Sequence, residues 1–173
     1  MSKDSSATPD TNFDTTYGSS TPLIPLRAWS LLPSSSTQQP ITLEFDIPID
    51  MDITWAPTID LKLFIANTSG VATGSVANMR LRVDLKNVNT QLGVVSPATG
   101  FGQTITSGDI TVTPEPAAGN LNNIRVSLQV SNASVGPRYI AIVAIDRVAT
   151  TGTEYTGNIY LASAVFRYRK LLN

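Results

Sequence analysis

The fold class is decided by the stretch ITLEFDIPID, residues 41–50. Its apolar residues alternate with polar residues or proline: Ile41, Leu43, Phe45, Ile47 and Ile49. Alternation with a period of two is typical of a β-strand with one buried face and one exposed face. The stretch therefore predicts a strand, and Pro48 predicts that this strand lies at a sheet edge or bends near its end.

Similar patterns recur along the rest of the chain and are separated mostly by short turns rich in Gly, Pro, Asn or Ser. They predict further strands at 59–67, 79–86, 102–106, 109–113, 124–130, 139–145 and 159–168. No segment has the 3.6-residue period of a full-length helix. Eight strands with these turns favour an antiparallel β-sandwich of jelly-roll type over residues 41–173, and an immunoglobulin-like sandwich is the alternative.

Residues 1–40 differ from the rest because Ser, Thr, Asp and Pro dominate them. Such a composition predicts an extended arm without its own core. The arm contains an apolar patch between residues 23 and 32 that is interrupted by prolines: Leu23, Ile24, Leu26, Trp29, Leu31 and Leu32. The patch suits docking on a partner surface, and the alternative is that it closes over the core of its own domain.

The segment YIAIVAI, residues 139–145, is almost wholly apolar on both faces. A strand that is buried on both sides needs a cover beyond the opposite sheet, such as a neighbouring subunit or the arm. We therefore expect Tyr139, Ala141, Val143 and Ile145 to form an oligomer interface. The low charged fraction, 14% of 173 residues, also favours an oligomer.

Composition narrows the possible functions. The formal net charge of −1 gives no electrostatic drive for nucleic-acid binding, and the chain has neither Cys nor His. The commonest general base and the thiolate metal ligands are therefore missing. No apolar stretch is long enough to cross a bilayer, and the N-terminus has no apolar signal segment. We expect a protein made in the cytoplasm that binds neither nucleic acid nor membrane.

The sequence contains few residues that are candidates for catalysis or metal binding. Asp46, Asp50 and Asp52 could offer oxygen ligands to calcium, but the spacing of a known calcium loop is missing, and a solvated strand face is the favoured interpretation. No base stands in a pattern that would activate a serine, and no phosphate-binding loop is present. We therefore expect no enzymatic activity, no cofactor and no metal ion.

Two further groups of residues suggest contacts. Trp55, Tyr155 and Tyr160 could form an aromatic platform for a sugar, although core or interface packing is the commoner fate of such residues. Arg167, Arg169 and Lys170 form a basic cluster near the C-terminus. This cluster either meets acidic residues of a partner or forms a solvated end.

Two segments carry a resemblance to a known class of proteins: residues 41–70 and residues 139–170. They resemble small structural proteins of tailed bacteriophages that contain a single jelly roll shaped like tumour necrosis factor. The similar features are an acidic, Pro-containing loop after an early strand, Arg147 near the end of the penultimate strand, and a last strand closing on Tyr168. The resemblance covers residues 40–170 and implies a virion component without catalytic residues, commonly trimeric.

The leading functional prediction is a virion structural protein that decorates or cements a capsid through oligomer and arm contacts. Its partners would be copies of itself and other virion proteins, and its location would be the virion. The alternative is a carbohydrate- or receptor-binding fibre module. A coat protein that encloses RNA is less favoured, because its arm should be basic. The arm carries more acidic than basic residues: Asp4, Asp10 and Asp14 against Lys3 and Arg27.

Overall fold

The computed structural model describes residues 28–36, 40–66, 76–89, 102–113, 121–157 and 159–171. These residues form nine strands and one 3₁₀ turn at Asn132–Ser134. The strands are β1 (Trp29–Leu31), β2 (Ile41–Asp46), β3 (Thr58–Ala66), β4 (Ala77–Asn89), β5 (Gln103–Thr106), β6 (Ile110–Val112), β7 (Leu121–Gln129), β8 (Tyr139–Val148) and β9 (Ile159–Arg167). No helix in the described part of the chain is long and apolar enough to span a membrane.

The strands form two antiparallel sheets that pack face to face. The first sheet has the order β1-β9-β3-β7, and the second has the order β2-β8-β4-β5, with β6 also paired to β4. From β1 to β4 and again from β7 to β9, consecutive strands alternate between the two sheets. This order is that of a jelly roll, so the predicted all-β sandwich of jelly-roll type is confirmed.

The core lies between the sheets and follows the period-two pattern of the sequence. On β3, for example, Ile59, Leu61, Leu63 and Ile65 are fully buried, while Asp60 and Lys62 lie on the outer face. The same alternation places Met79, Leu81, Val83 and Leu85 of β4 in the core. Apolar burial of this kind is the main stabilising term of the sandwich.

The predicted oligomer-interface residues on β8 lie mostly in this core. Ala141, Val143 and Ile145 are fully buried within the single chain, and Tyr139 is half-buried at the start of the strand. The face that lies on the outside of the sheet is the other one, with half-buried Ile140 and Ile142. Alternation of two apolar faces does not indicate which face turns inwards, so the sequence could not show that these three residues face the core of their own chain.

Part of the predicted arm belongs to the sandwich. Trp29 and Leu31 of β1 pair with Leu161 and Ile159 of β9, and Leu31 is fully buried in the core. Ala28 is also buried, whereas Leu32 is half-buried. The sandwich therefore begins before residue 41. Of the two possibilities for the apolar patch, docking on a partner or covering its own domain, the described residues of the patch follow the second. Leu23, Ile24 and Leu26 lie outside the described residues.

Strand β1 should contribute to stability despite its three residues. We expect Leu31→Ala to lower the free energy of unfolding by about 2–5 kcal/mol, because it opens a cavity in the core. The matched control is Val76→Ala at a side chain that is largely exposed, with an expected change within about 0.5 kcal/mol. Urea denaturation followed by tryptophan fluorescence measures both, and equal stabilities would show that β1 is not part of the cooperative core.

Candidate interaction surface

Exposed apolar side chains collect at one end of the sandwich. At this end β2 runs into β3, and β7 and β9 finish, so we call it the β2–β3 end. The described residues include seven large apolar side chains that are exposed, and five of them lie here, with exposed fractions from 36% to 58%. These five form what we call the end patch: Ile49, Ile53, Trp55, Tyr168 and Leu171. Large apolar residues grouped in this way mark contact surfaces more often than scattered ones do.

The loop of residues 47–57 holds three members of the patch in a fixed position. Ile47 and Met51 are buried in the core and anchor the loop from below. The Ile47 amide donates to the Tyr139 carbonyl oxygen at 2.8 Å, and the Val130 amide donates to that of Pro57 at 2.8 Å. Strand β2 ends at Asp46, because the chain turns after Pro48, so Ile49 is exposed rather than buried as the alternation alone predicts.

The C-terminal segment completes the patch. The Asp52 amide donates to the Arg169 carbonyl oxygen at 2.8 Å, and the Leu171 amide donates to that of Asp50 at 2.8 Å. These two bonds place Leu171 beside the loop. Tyr168 stacks on Phe166 with ring centroids 6.5 Å apart, and Phe166 in turn contacts Phe45.

Ion pairs between the loop and the C-terminus surround the patch. The Arg169 Nε lies 3.1 Å from Asp52 Oδ2, and the Lys170 Nζ lies 2.9 Å from Asp50 Oδ2. Arg167 pairs in the same way with Asp60 on β3. The basic cluster therefore meets acidic residues of its own chain. No group of three or more potential metal-ligating side chains occurs among the described residues, so Asp46, Asp50 and Asp52 do not converge there.

Among the described residues of this end, Asp52 is the one buried carboxylate. The Thr54 hydroxyl and amide donate to its Oδ1 at 2.6 and 2.9 Å. These hydrogen bonds, together with the charge of Arg169, hold the pKa of Asp52 below its ordinary value. The hydrogen bond and charge of Asp50 raise the pKa of Lys170. Both ion pairs lie at the same end as the exposed apolar side chains, and protein–protein interfaces likewise combine an apolar centre with a polar rim.

The predicted aromatic platform is not assembled. Trp55 is exposed at the β2–β3 end, whereas Tyr155 lies in the connection between β8 and β9, at the opposite end of the sandwich. The ten residues of β8 separate the two ends by about 30 Å. Tyr155 is also fully buried, and Tyr160 lies half-buried on the outer face of the first sheet beside Phe64. No sugar can stack on these three rings together.

Arg147 organises the opposite end of the sandwich. Its guanidinium is wholly buried and donates to the carbonyl oxygens of Gly157 at 2.8 Å and Tyr155, and to Glu154 Oε1 at 3.3 Å. Burial lowers its pKa, while Glu154 opposes that change. The Glu154 carboxylate also accepts hydrogen bonds from the Ser34 amide and hydroxyl, at 2.8 and 2.6 Å. Arg147 thus fastens the segment after β1 to the β8–β9 connection.

The fold and these contacts define a jelly-roll sandwich with a preorganised apolar end. No protein-family model matches the chain, and neither the curated proteins nor the solved structures contain a significant match. The sequence had singled out Trp55 but not Ile49, Ile53, Tyr168 or Leu171 as surface residues. For Ile53 and Trp55, the sequence feature that could have indicated exposure is the segment MDITWAP, in which apolar residues stand in a loop rich in Asp and Pro.

Replacement of Arg147 should destabilise the protein more than replacement of an exposed arginine. We expect Arg147→Met to lower the free energy of unfolding by about 3–5 kcal/mol, because the carbonyl groups of Gly157, Tyr155 and Leu31, the last at 3.4 Å, and the carboxylate of Glu154 lose a buried donor. Arg167→Met is the control, since the Arg167 side chain is mostly exposed, and we expect a loss of about 0–1 kcal/mol. Equal losses in urea denaturation would contradict a central role for Arg147.

Proposed function

We propose that this protein is a non-enzymatic structural subunit that assembles through its end patch, and that the assembly is a virion which it decorates or cements. The observation that carries the proposal is the concentration of exposed apolar side chains at the β2–β3 end. Trp and Tyr belong to the residue types that contribute most to binding at protein interfaces. An apolar centre with a charged rim has the composition of a surface that is buried on association.

The fixed geometry of the patch supports the same proposal. Its loop is held by the core residues Ile47 and Met51 and by hydrogen bonds to the C-terminal segment. A rigid surface loses little conformational entropy when it binds, so more of the contact energy remains as affinity. The resemblance of residues 40–170 to structural proteins of tailed bacteriophages favours a virion as the assembly.

A partner of the patch is expected to be a second or third copy of the chain. A closed symmetric oligomer buries the same patch on every subunit, and the expected form is a trimer. The outer face of β8, with Ile140 and Ile142 half-buried, is then available for other virion proteins. The carbohydrate- or receptor-binding alternative loses its predicted platform, because Trp55 and Tyr155 lie at opposite ends.

The first test measures the solution mass of the full chain by light scattering. We expect an oligomer for the wild type and a monomer for the double variant Ile53→Asp with Trp55→Ala, because a buried charge without a partner opposes association. Val76→Asp is the matched control: Val76 is exposed immediately before β4, at the opposite end, and this variant should remain oligomeric. A wild-type monomer, or a double variant that still assembles, would overturn the role of the patch.

The second test concerns the assembly itself. Virus particles purified from cultures of the source organism are analysed by quantitative mass spectrometry. A structural subunit should be present in a fixed ratio to the major shell protein and should remain bound through density-gradient centrifugation. If the protein is missing from the particles but abundant in the cells, the virion part of the proposal is wrong.

A further inference from the structure

The outer face of the first sheet carries a groove of mixed polar and apolar lining that shares only the Asp60–Arg167 ion pair with the surroundings of the end patch. The groove has a volume of ≈ 300 Å³ and lies across β7, β3 and β9. Its lining includes Asp60, Lys62, Arg125, Ser127, Ser163 and Val165. A volume of this size is at the lower end of the range for sites that bind small molecules.

Two positively charged residues are cross-strand neighbours in the groove, and the Lys62 ammonium lies over the Phe64 ring, 5.0 Å from its centroid. Lys62 of β3 is the direct cross-strand partner of Arg125 on β7, a position at which β-carbons are about 5 Å apart. Like charges so placed destabilise a sheet. Within the described part of the chain, neither side chain forms an ion pair with a carboxylate. An anion bound between them would remove the repulsion and accept charge-assisted hydrogen bonds from both.

The carboxylate of Asp60, which also lines the groove, already has partners. Asp60 precedes Lys62 on the same face of β3, and it pairs with Arg167. Its Oδ1 also accepts a hydrogen bond from the Ser127 hydroxyl at 2.6 Å. The same Oδ1 accepts a second hydrogen bond from the Thr58 hydroxyl at 3.2 Å. Asp60 forms no direct ion pair with Lys62 or Arg125, and both Asp60 and Ser127 line the groove.

A β-bulge shapes the other wall of the groove. The pairing of β3 with β9 steps from Lys62↔Ser163 to Leu63↔Leu161, so Ala162 is an extra residue on β9. Bulges of this kind redirect neighbouring side chains and are common beside binding sites. Ser163 pairs with Lys62 directly before the register changes, and Val165 adds an exposed apolar surface.

We propose that this groove binds a saccharide unit that carries a carboxylate or a sulfate group. Lys62 and Arg125 hold the anionic group, while Ser127, Ser163 and Asp60 exchange hydrogen bonds with sugar hydroxyls, and Val165 packs against the ring. The mixture of donors, one acceptor and an apolar surface fits a polyhydroxylated anion better than a bare ion or an acidic peptide, whose further carboxylates would meet Asp60. The proposal goes beyond assembly through the end patch, with whose surroundings the groove shares only the Asp60–Arg167 ion pair.

The test is a titration of the full, ¹⁵N-labelled chain with sodium glucuronate, followed by NMR. We expect shifts confined to residues around Lys62, Arg125 and Ser163, with a dissociation constant on the order of 1 mM, as an open groove of this size allows. Lys62→Gln and Arg125→Gln should each weaken binding about tenfold or more. Lys86→Gln, on the outer face of the second sheet, should bind like the wild type. Spectra of the unbound variants establish that each is folded.

Neutral glucose, sodium sulfate and a short acidic peptide are titrated in parallel. The proposal predicts that all three bind more weakly than glucuronate, and that added salt weakens glucuronate binding through screening. Equal shifts with sulfate would show an ion site only, and tighter binding of the peptide would show a protein-docking site; either result overturns the proposal. It is also overturned if glucuronate shifts none of these residues, or if the Lys62 and Arg125 variants bind like the wild type.

Discussion

The position of the last strand is the constraint on which the rest of the structure depends. Strand β9 lies between β1 and β3, so the first strand joins the pair formed by β3 and β7 only when the last strand has paired with β3. Pairing of strands distant in sequence is slow to form, because a large loop must close before the contacts stabilise it. In the described strand order, β1 has no neighbour other than β9, and its core residue Leu31 is buried only through that pairing.

The sequence patterns were informative wherever one face of a strand is buried against the other sheet. Strands β3, β4 and β7 follow from alternation because their polar residues lie on an outer face. Strand β1 could not be recognised, since three residues carry no period and the surrounding prolines suggest an arm. This omission alone explains why eight strands were predicted and nine are described. The separate segments β5 and β6, both of which pair with β4, were among the predicted strands. On β8 both faces are apolar, so burial could not be assigned to one of them.

The surfaces were harder to predict than the fold, because they bring together residues from distant parts of the chain. The sequence suggested a solvated acidic face that includes Asp50 and Asp52, and a separate basic cluster of Arg167, Arg169 and Lys170 that meets acidic residues of a partner or forms a solvated end. It placed Asp60 in neither group. Each acidic residue pairs with one of the basic residues because β9 returns beside β3 and its extension runs along the loop after β2. The juxtaposition of Lys62 and Arg125 likewise follows from the register of β3 with β7, which one sequence does not reveal.

The end patch depends on the C-terminal segment, and this dependence links folding to the formation of the surface. Tyr168 and Leu171 take their places only after β9 has entered the first sheet, and the same segment holds the loop that carries Ile53 and Trp55. A chain that has not finished folding therefore presents no complete contact surface. If subunits assemble through the end patch, as proposed, recruitment would discriminate between mature and immature copies without a dedicated chaperone, because docking of the C-terminal segment completes that surface.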